Sequence, residues 1–360
     1  MNKRLLAVAV AGALAAPVAA FAQSSVTISG VLKGGYEGVK YSGQAAGNSG
    51  VTGVVDDSSR IIFNIVEDLG GGLQAIGQYD FRGTLDVGGL SAAGNDHVGL
   101  RSKSWGRIFV GRQDLHYFNR ESDLTVRGSL RADSISILAY AGGGSTAIAG
   151  ATRTANVVHY TTPNWGGFTM IVAHSSNPSA QDADLGSAVR KGRAWNLNPN
   201  FQGSNFQVGY SYWSSKVDGA LAGEQRGDRL YGSYTWGGLK IGLAWDKSRI
   251  HTGGGGDTSK RSAWSLPVSY TWGAHSINAH YDRAGDDKVM AGDEKARMFA
   301  ISYAYDLSKR TSAALTYARI NNNAGATYNF FTNVGLGLAG AAPAAGVDPR
   351  LWAVTLRHQF

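Results

Sequence analysis

The 360-residue chain contains no cysteine and only 7 prolines. Without thiols it has no disulfide to staple a small exported domain, no thiolate metal site and no thiol nucleophile. Beyond Ala22 no apolar run approaches the roughly 20 residues that a transmembrane helix requires. The 34 Lys and Arg exceed the 26 Asp and Glu, but they are scattered singly. A dense basic block able to track a phosphate backbone is missing, which argues against nucleic acid. Serines and 8 histidines are present, none in a G-x-S-x-G or H-E-x-x-H context, so catalysis finds no motif. The glycine run from Gly253 to Gly256 lacks a following Lys-Ser/Thr and reads as a loop tip, not a phosphate cradle. No metal site and no cofactor is implied.

What is abundant is glycine and large aromatics, with 50 Gly, 16 Tyr and 9 Trp. The chain opens with Lys3 and Arg4, an apolar stretch from Leu5 to Ala16, and Ala20-Phe21-Ala22. That order is the grammar of a cleaved export signal over residues 1–22, with the mature chain beginning at Gln23.

Trp105-Gly106, Trp165-Gly166, Trp236-Gly237 and Trp272-Gly273 each place an indole before a turn glycine. Similar breaks lie at Asp68–Gly72, Gln202–Ser204 and Asp306–Lys309. All but one of the intervals between these seven turns run near 35 residues, a repeat of two strands, one tight turn and one longer loop. Seven tight turns and eight loops predict sixteen strands. Within the segments apolar residues alternate with polar ones, as in Phe206, Val208, Tyr210 and Tyr212, or Leu239, Ile241, Leu243 and Trp245. A sandwich alternates too. The polar set here includes Lys, Arg, Asp, Gln and His, however, and the Trp and Tyr cluster beside turns where a bilayer interface holds them. A closed barrel satisfies every backbone group without a free edge. The expected fold is therefore all-β, a 16-stranded antiparallel transmembrane β-barrel filling residues 23–360.

Parity then assigns faces. With Ile28, Leu32, Phe63, Leu73, Tyr79, Val98, Leu100, Val158 and Tyr160 toward lipid, the inward set includes Lys33, Arg60, Arg82, Arg101, Arg153, Lys240 and Arg357. Arg107 and Arg112 have opposite parity, so plain alternation cannot place both inside. The interval between the turns at 105 and 165 is about 25 residues too long, and surplus loop length in a compact fold is usually functional.

The chain resembles the Gram-negative general porins, in particular the trimeric porins of β-proteobacteria. The stretches carrying the resemblance are SSVTISGVLKGG at 24–35, SRIIFNIVEDLGGGLQAIGQYDF at 59–81, GRQ at 111–113, NVVHYTTPNWGGF at 156–168 and the terminal LRHQF. It departs from the family at Lys33, where an acid is common, and at SRIIF, which replaces a glycine-containing pattern. The resemblance implies a third loop, about residues 114–151, folded inward to constrict the barrel. It implies a basic wall of Lys33, Arg60, Arg112 and Arg153 facing the loop acids Glu121 and Asp123. The GRQ motif selects Arg112 over Arg107, with a bulge expected at Gly111. Phe360 matches the signal read by the barrel assembly machinery.

The implied activity is passive diffusion of small hydrophilic solutes across the outer membrane, with homotrimer, outer-membrane lipid and lipopolysaccharide as partners. Inward cations outnumber inward acids, so a weak to moderate anion preference is expected, weakening with salt. A substrate-selective anion channel for organic anions or phosphate is the alternative. A plugged barrel acting as enzyme or adhesin is a third class. The Ala- and Gly-rich final loop at about 321–349 reads equally as a lid or a contact.

Overall fold

In a computed structural model the described residues are 24–42, 50–91, 94–116, 127–138, 153–178, 192–217, 223–252, 256–331 and 343–360. They form sixteen antiparallel strands. These are β1 (Ser25–Ser42), β2 (Gly50–Asp56 and Arg60–Gly70), β3 (Leu73–Gly83), β4 (Leu90–Ser91 and Asp96–Ser102), β5 (Gly106–Gln113) and β6 (Thr154–Thr161). Next come β7 (Phe168–Ser175), β8 (Gly192–Gln202), β9 (Phe206–Val217), β10 (Gly223–Trp236) and β11 (Leu239–Thr252). The last are β12 (Gly256–Trp272), β13 (His275–Ala284), β14 (Ala296–Asp306), β15 (Thr311–Asn322) and β16 (Asp348–Gln359). Each strand pairs with its neighbour in sequence, and β16 returns to β1 in register from Val31↔Gln359 to Ser42↔Asp348. Phe360 completes that seam, exchanging backbone hydrogen bonds with Gly30 at 3.1 and 3.2 Å.

All seven expected turns fall at hairpin ends, from β2–β3 through β14–β15. The Trp-Gly motif has a backbone cause. Gly106, Gly166, Gly237 and Gly273 have φ of +93°, +61°, +57° and +54°, a region costly for residues bearing a Cβ. The preceding indoles are exposed, Trp236 most of all at 77 %, as an interfacial girdle requires. Gly237 has open space around it, whereas a Cβ at Gly106 would lie 2.1 Å from the Thr161 carbonyl oxygen. Gly237→Ala should therefore cost about 1–2 kcal/mol, and Gly106→Ala clearly more. Urea titration of the heat-modifiable folded form in lipid vesicles would read the difference, and equal midpoints would refute it.

Alternation produces two unlike faces. On β11 the outward Ile241, Leu243 and Trp245 are 45 %, 54 % and 44 % exposed, while inward Ala244 and Asp246 are both 1 % exposed. The first half of β2 is re-aimed by a turn in which the Asp56 carboxylate accepts from the backbone N–H of Ser58 (2.9 Å) and Ser59 (3.1 Å). Ser58 there sits at φ +73°.

The β13–β14 loop is tied to β12 through Asp287, which accepts from Ser259 Oγ, from Lys260 N at 3.0 Å and from Val289 N at 2.9 Å. Burial pushes this carboxyl upward, but the donors outweigh it and hold it below the usual carboxylate range. A lowered folded value means the tie is intact at neutral pH and is lost as pH falls through that value. Limited proteolysis of this loop is expected to begin only below about pH 4. Asp287→Asn should expose it at neutral pH, and equal resistance in the variant would contradict the reading.

Candidate functional site

Register places the inward cations in rows. Arg60 stands directly opposite Arg82, and Lys33 opposite Arg357. Lower on the wall, Gln74, Arg101, Arg107 and Thr161 form one cross-strand row over β3–β6. Arg101 Nε donates to Gln74 Oε1 at 2.7 Å, and Arg107 Nε to Thr161 Oγ1 at 3.3 Å. Arg60 feels the charges of Arg82, Arg357, Asp80 and Asp114. Arg82 reaches Asp80 at 2.6 Å and Ser58 Oγ at 3.0 Å. Like charges directly across a ladder disfavour folding, and here carboxylates offset one cation of each of the first two facing pairs, Asp57 beside Lys33 at 2.9 Å and Asp80 beside Arg82. Lys240 lies inward opposite Thr235, and Arg357 Nη2 donates to Gln359 Oε1 at 2.9 Å.

Arg112 is not on this wall. It pairs across with Asp96 on the face that carries Val98 and Val110, and it borders an outward groove of about 640 Å³ lined by Tyr79, Val98, Val110 and Val158. The register shift near Gly111 is real, but the extra residue is in β6: Gly111 pairs with Val157, whereas Gln113 pairs with Thr154. Alternation along β5 therefore runs on unbroken, and Arg107 is the inward residue. The same extra residue, with Asn156 at φ +54° and Arg153 at φ +26°, removes the parity on which Arg153 depended. Arg153 instead ties the rim through its backbone, accepting from Arg112 Nε at 3.1 Å and donating to Asp114 at 2.9 Å.

Above Arg107, three rings stack on adjacent inward positions. His97 and Phe109 lie 4.3 Å apart at 27°, Phe109 and His159 4.3 Å apart at 10°, with the Arg107 guanidinium 5.5 Å from the Phe109 centroid.

Residues 127–138, between β5 and β6, touch the polar faces of strands around half the barrel. Arg127 pairs with Asp306 at 2.7 Å, and its carbonyl accepts from Thr355 at 3.0 Å. Gly128 O accepts from Lys33 Nζ, which also meets Asp57 at 2.9 Å. Ser129 N reaches Thr316, and Leu130 N reaches Asp57 at 3.0 Å. Arg131 pairs with Glu37, both 1 % exposed or less. Ala132 O accepts from His280, whose other nitrogen meets Asp282 at 2.6 Å. Leu138 O accepts from Arg261, which also donates to Tyr328 of the final loop.

Ile137, Leu138, Tyr328 and Phe330 join inward Met298, Ile320 and Leu351 in one buried apolar cluster. A separate buried set unites Leu115, Val157 and Trp213. Beside it Arg229 holds Asp246 at 2.8 Å and His116 O at 3.0 Å.

Sequence reasoning missed these buried charges. Parity along β11 puts Asp246 on the polar face, but its partner is a matter of cross-strand register. Glu121 and Asp123 lie outside the described residues, as does the export signal.

A closed sixteen-stranded barrel with an apolar exterior band and a charged interior defines a transmembrane β-barrel channel. The sequence profile of the Gram-negative porins matches residues 7–327, and the chain belongs to that family. An outer membrane porin protein of Bordetella pertussis is 29% identical over 374 residues, covering 87% of this chain and 92% of its own. Outer membrane porin protein 32 of Delftia acidovorans is 26% identical with 100% of both chains covered. Among solved structures, the anion-selective porin from Comamonas acidovorans superposes with a TM-score of 0.77 at 22% identity, covering 94% of this chain and 100% of that one. OmpT of Vibrio cholerae, in its trimer form, gives 0.67 at 13% identity, covering 94% and 99%. The protein is an outer-membrane porin that passes small hydrophilic solutes passively.

Proposed function

We propose that this porin prefers anions, weakly to moderately, through a basic wall formed by Arg60, Arg82, Arg101, Arg107, Lys240 and Arg357, with Lys33 set behind it in its buried pair with Asp57. The observation that carries the reading is the Arg60–Arg82 pairing, with Arg357 in electrostatic reach and, among the described residues, Asp80 and Asp114 opposing. A third loop at about 114–151 would constrict the lumen, supported by the contacts of 127–138, and Glu121 and Asp123 would supply its acids. The Comamonas relative is described as anion-selective.

In planar bilayers under a salt gradient, an anion-directed reversal potential is expected. It should shrink as salt rises, because screening shortens to about 3 Å at 1 M. A cation-directed potential would discard this wall.

Selective passage of organic anions is favoured by one feature, the Arg101–Arg107 row beneath the His97–Phe109–His159 stack. Liposome flux of an aromatic carboxylate that saturates would support it, and linear flux would reject it. Assembly as a homotrimer is proposed from the trimeric OmpT relative, with Phe360 at the seam as the assembly signal.

A further inference from the structure

The polar interior of the barrel is not continuous. On β2–β5 the inward positions carry Arg60, Arg82, Arg101 and Arg107. On the loop-side halves of β14–β16 they carry Ala296, Met298, Ala318, Ile320 and Leu351, each 0 % exposed. The outward neighbours Phe299, Ile301 and Tyr317 are apolar or aromatic as well. A strand that is apolar on both faces is one covered on both faces, because an apolar wall left against lumen water would forfeit its burial. Lipid covers the outer face. The inner face shares its buried cluster with Ile137 and Leu138 of the inner segment and with Ala326, Tyr328, Phe330 and Val347 of the final loop.

We propose that the final loop is a second constricting element of the channel. Its Tyr328 and Phe330 fill the loop-side mouth over β12–β16 and β1 and hold residues 127–138 against the wall, so that these two side chains set the size of solute admitted. The proposal rests on the reading of 127–138 as the constriction.

Asn322, the last residue of β15, staples the two limbs of the loop. Its Nδ2 donates to the carbonyls of Tyr328 at 2.9 Å and Val347 at 2.7 Å, and its Oδ1 accepts from Tyr328 N at 3.1 Å. Gly346 N donates to Ala326 O at 2.9 Å and closes the limbs on each other. Deeper in the mouth, Phe331 N donates to Ser136 Oγ at 2.9 Å, and Asn329 Nδ2 to the Tyr41 hydroxyl of β1 at 3.4 Å. Arg261 of β12 joins both elements. It donates to the Tyr328 hydroxyl and to the Leu138 carbonyl, with its guanidinium 5.1 Å from the Tyr328 ring centroid. Contacts running from β12 round to β1 make the loop a strap across the apolar sector, and the two rings supply its bulk. Removing rings of that size from between barrel strands, which cannot collapse inward, opens space that lumen water can enter.

The test is single-channel conductance of the folded porin at 1 M salt, where screening falls to about 3 Å and conductance reports cross-section more than wall charge. Neutral polyethylene glycols of graded size find the largest polymer that enters. Tyr328→Ala/Phe330→Ala should raise conductance and shift the polymer cut-off to larger glycols. Heat-modifiable mobility should remain that of a folded barrel, and the reversal potential should keep its sign, because Arg60 and Arg82 lie on β2 and β3. Lower thermal resistance with an unmoved cut-off would reveal a merely structural role and overturn the proposal. Should the double variant fail to insert, Asn322→Ala carries the test, since it loosens the limbs without removing apolar bulk. The same direction of change is expected, and an unchanged cut-off refutes the proposal. Glu37→Ala, which frees 127–138 through Arg131 and leaves the final loop untouched, separates the two readings. If it widens the channel and the final-loop variants do not, the present proposal falls alone. If the final-loop variants widen the channel and Glu37→Ala does not, the final loop stands as the constriction and that role is lost to 127–138.

Discussion

Arg60→Glu combined with Arg82→Glu is expected to reverse the selectivity of the channel from anions to cations. The two guanidiniums stand directly opposite each other on β2 and β3, and the exchange changes the local charge by four units. A unit charge about 10 Å from an ion contributes roughly 0.4 kcal/mol in a water-like dielectric. Four such steps come to about 1.7 kcal/mol, more than tenfold in the permeability ratio. The shift should be largest at low ionic strength and fade once the screening length falls below the pore radius. Arg82 also holds Asp80, so heat-modifiable mobility must accompany the electrical reading to confirm a folded barrel. A folded variant with an unchanged reversal potential would show that the wall field is set elsewhere.

Glu37→Ala should open the channel wider and make it noisy. Glu37 holds Arg131 where neither side chain meets water. Removing one member of a buried pair costs about 3–5 kcal/mol because the other charge is left in place. That loss falls on the segment 127–138 and not on the barrel ladder, and it leaves the segment held by the Arg127–Asp306 pair, by the packing of Ile137 and Leu138 and by hydrogen bonds worth about 1 kcal/mol each. Higher mean conductance, rapid flicker and new trypsin cleavage after Arg127 or Arg131 are the expected readouts. Glu37→Leu with Arg131→Met should restore quiet openings by replacing the pair with apolar contact. Unaltered conductance in a folded Glu37→Ala protein would mean that this segment does not border the ion path.

Much of the architecture was legible because barrel strands obey a short-range rule. A period of two needs only local residues, so Leu243 and Lys240 were assigned to opposite faces without knowing their neighbours. The Trp-Gly turns were legible because a positive φ leaves glycine as the residue of choice. Reading failed where the rule depends on a partner strand. Arg107 and Arg112 were exchanged because the irregular residue sits in β6, across the ladder from the GRQ motif that was made to explain it. Arg153 failed for the same reason.

The chain by itself determined the strand count, the hairpin positions and the two faces, since each follows from neighbours within a few residues. Only the tertiary structure decided which charges meet. Glu37 and Arg131 are 94 positions apart, and His280 and Ala132 are 148 apart. Such pairs exist because barrel closure wraps one polar face around residues 127–138. Closure is a sum of cross-strand registers around the whole ring, and no local pattern encodes that sum.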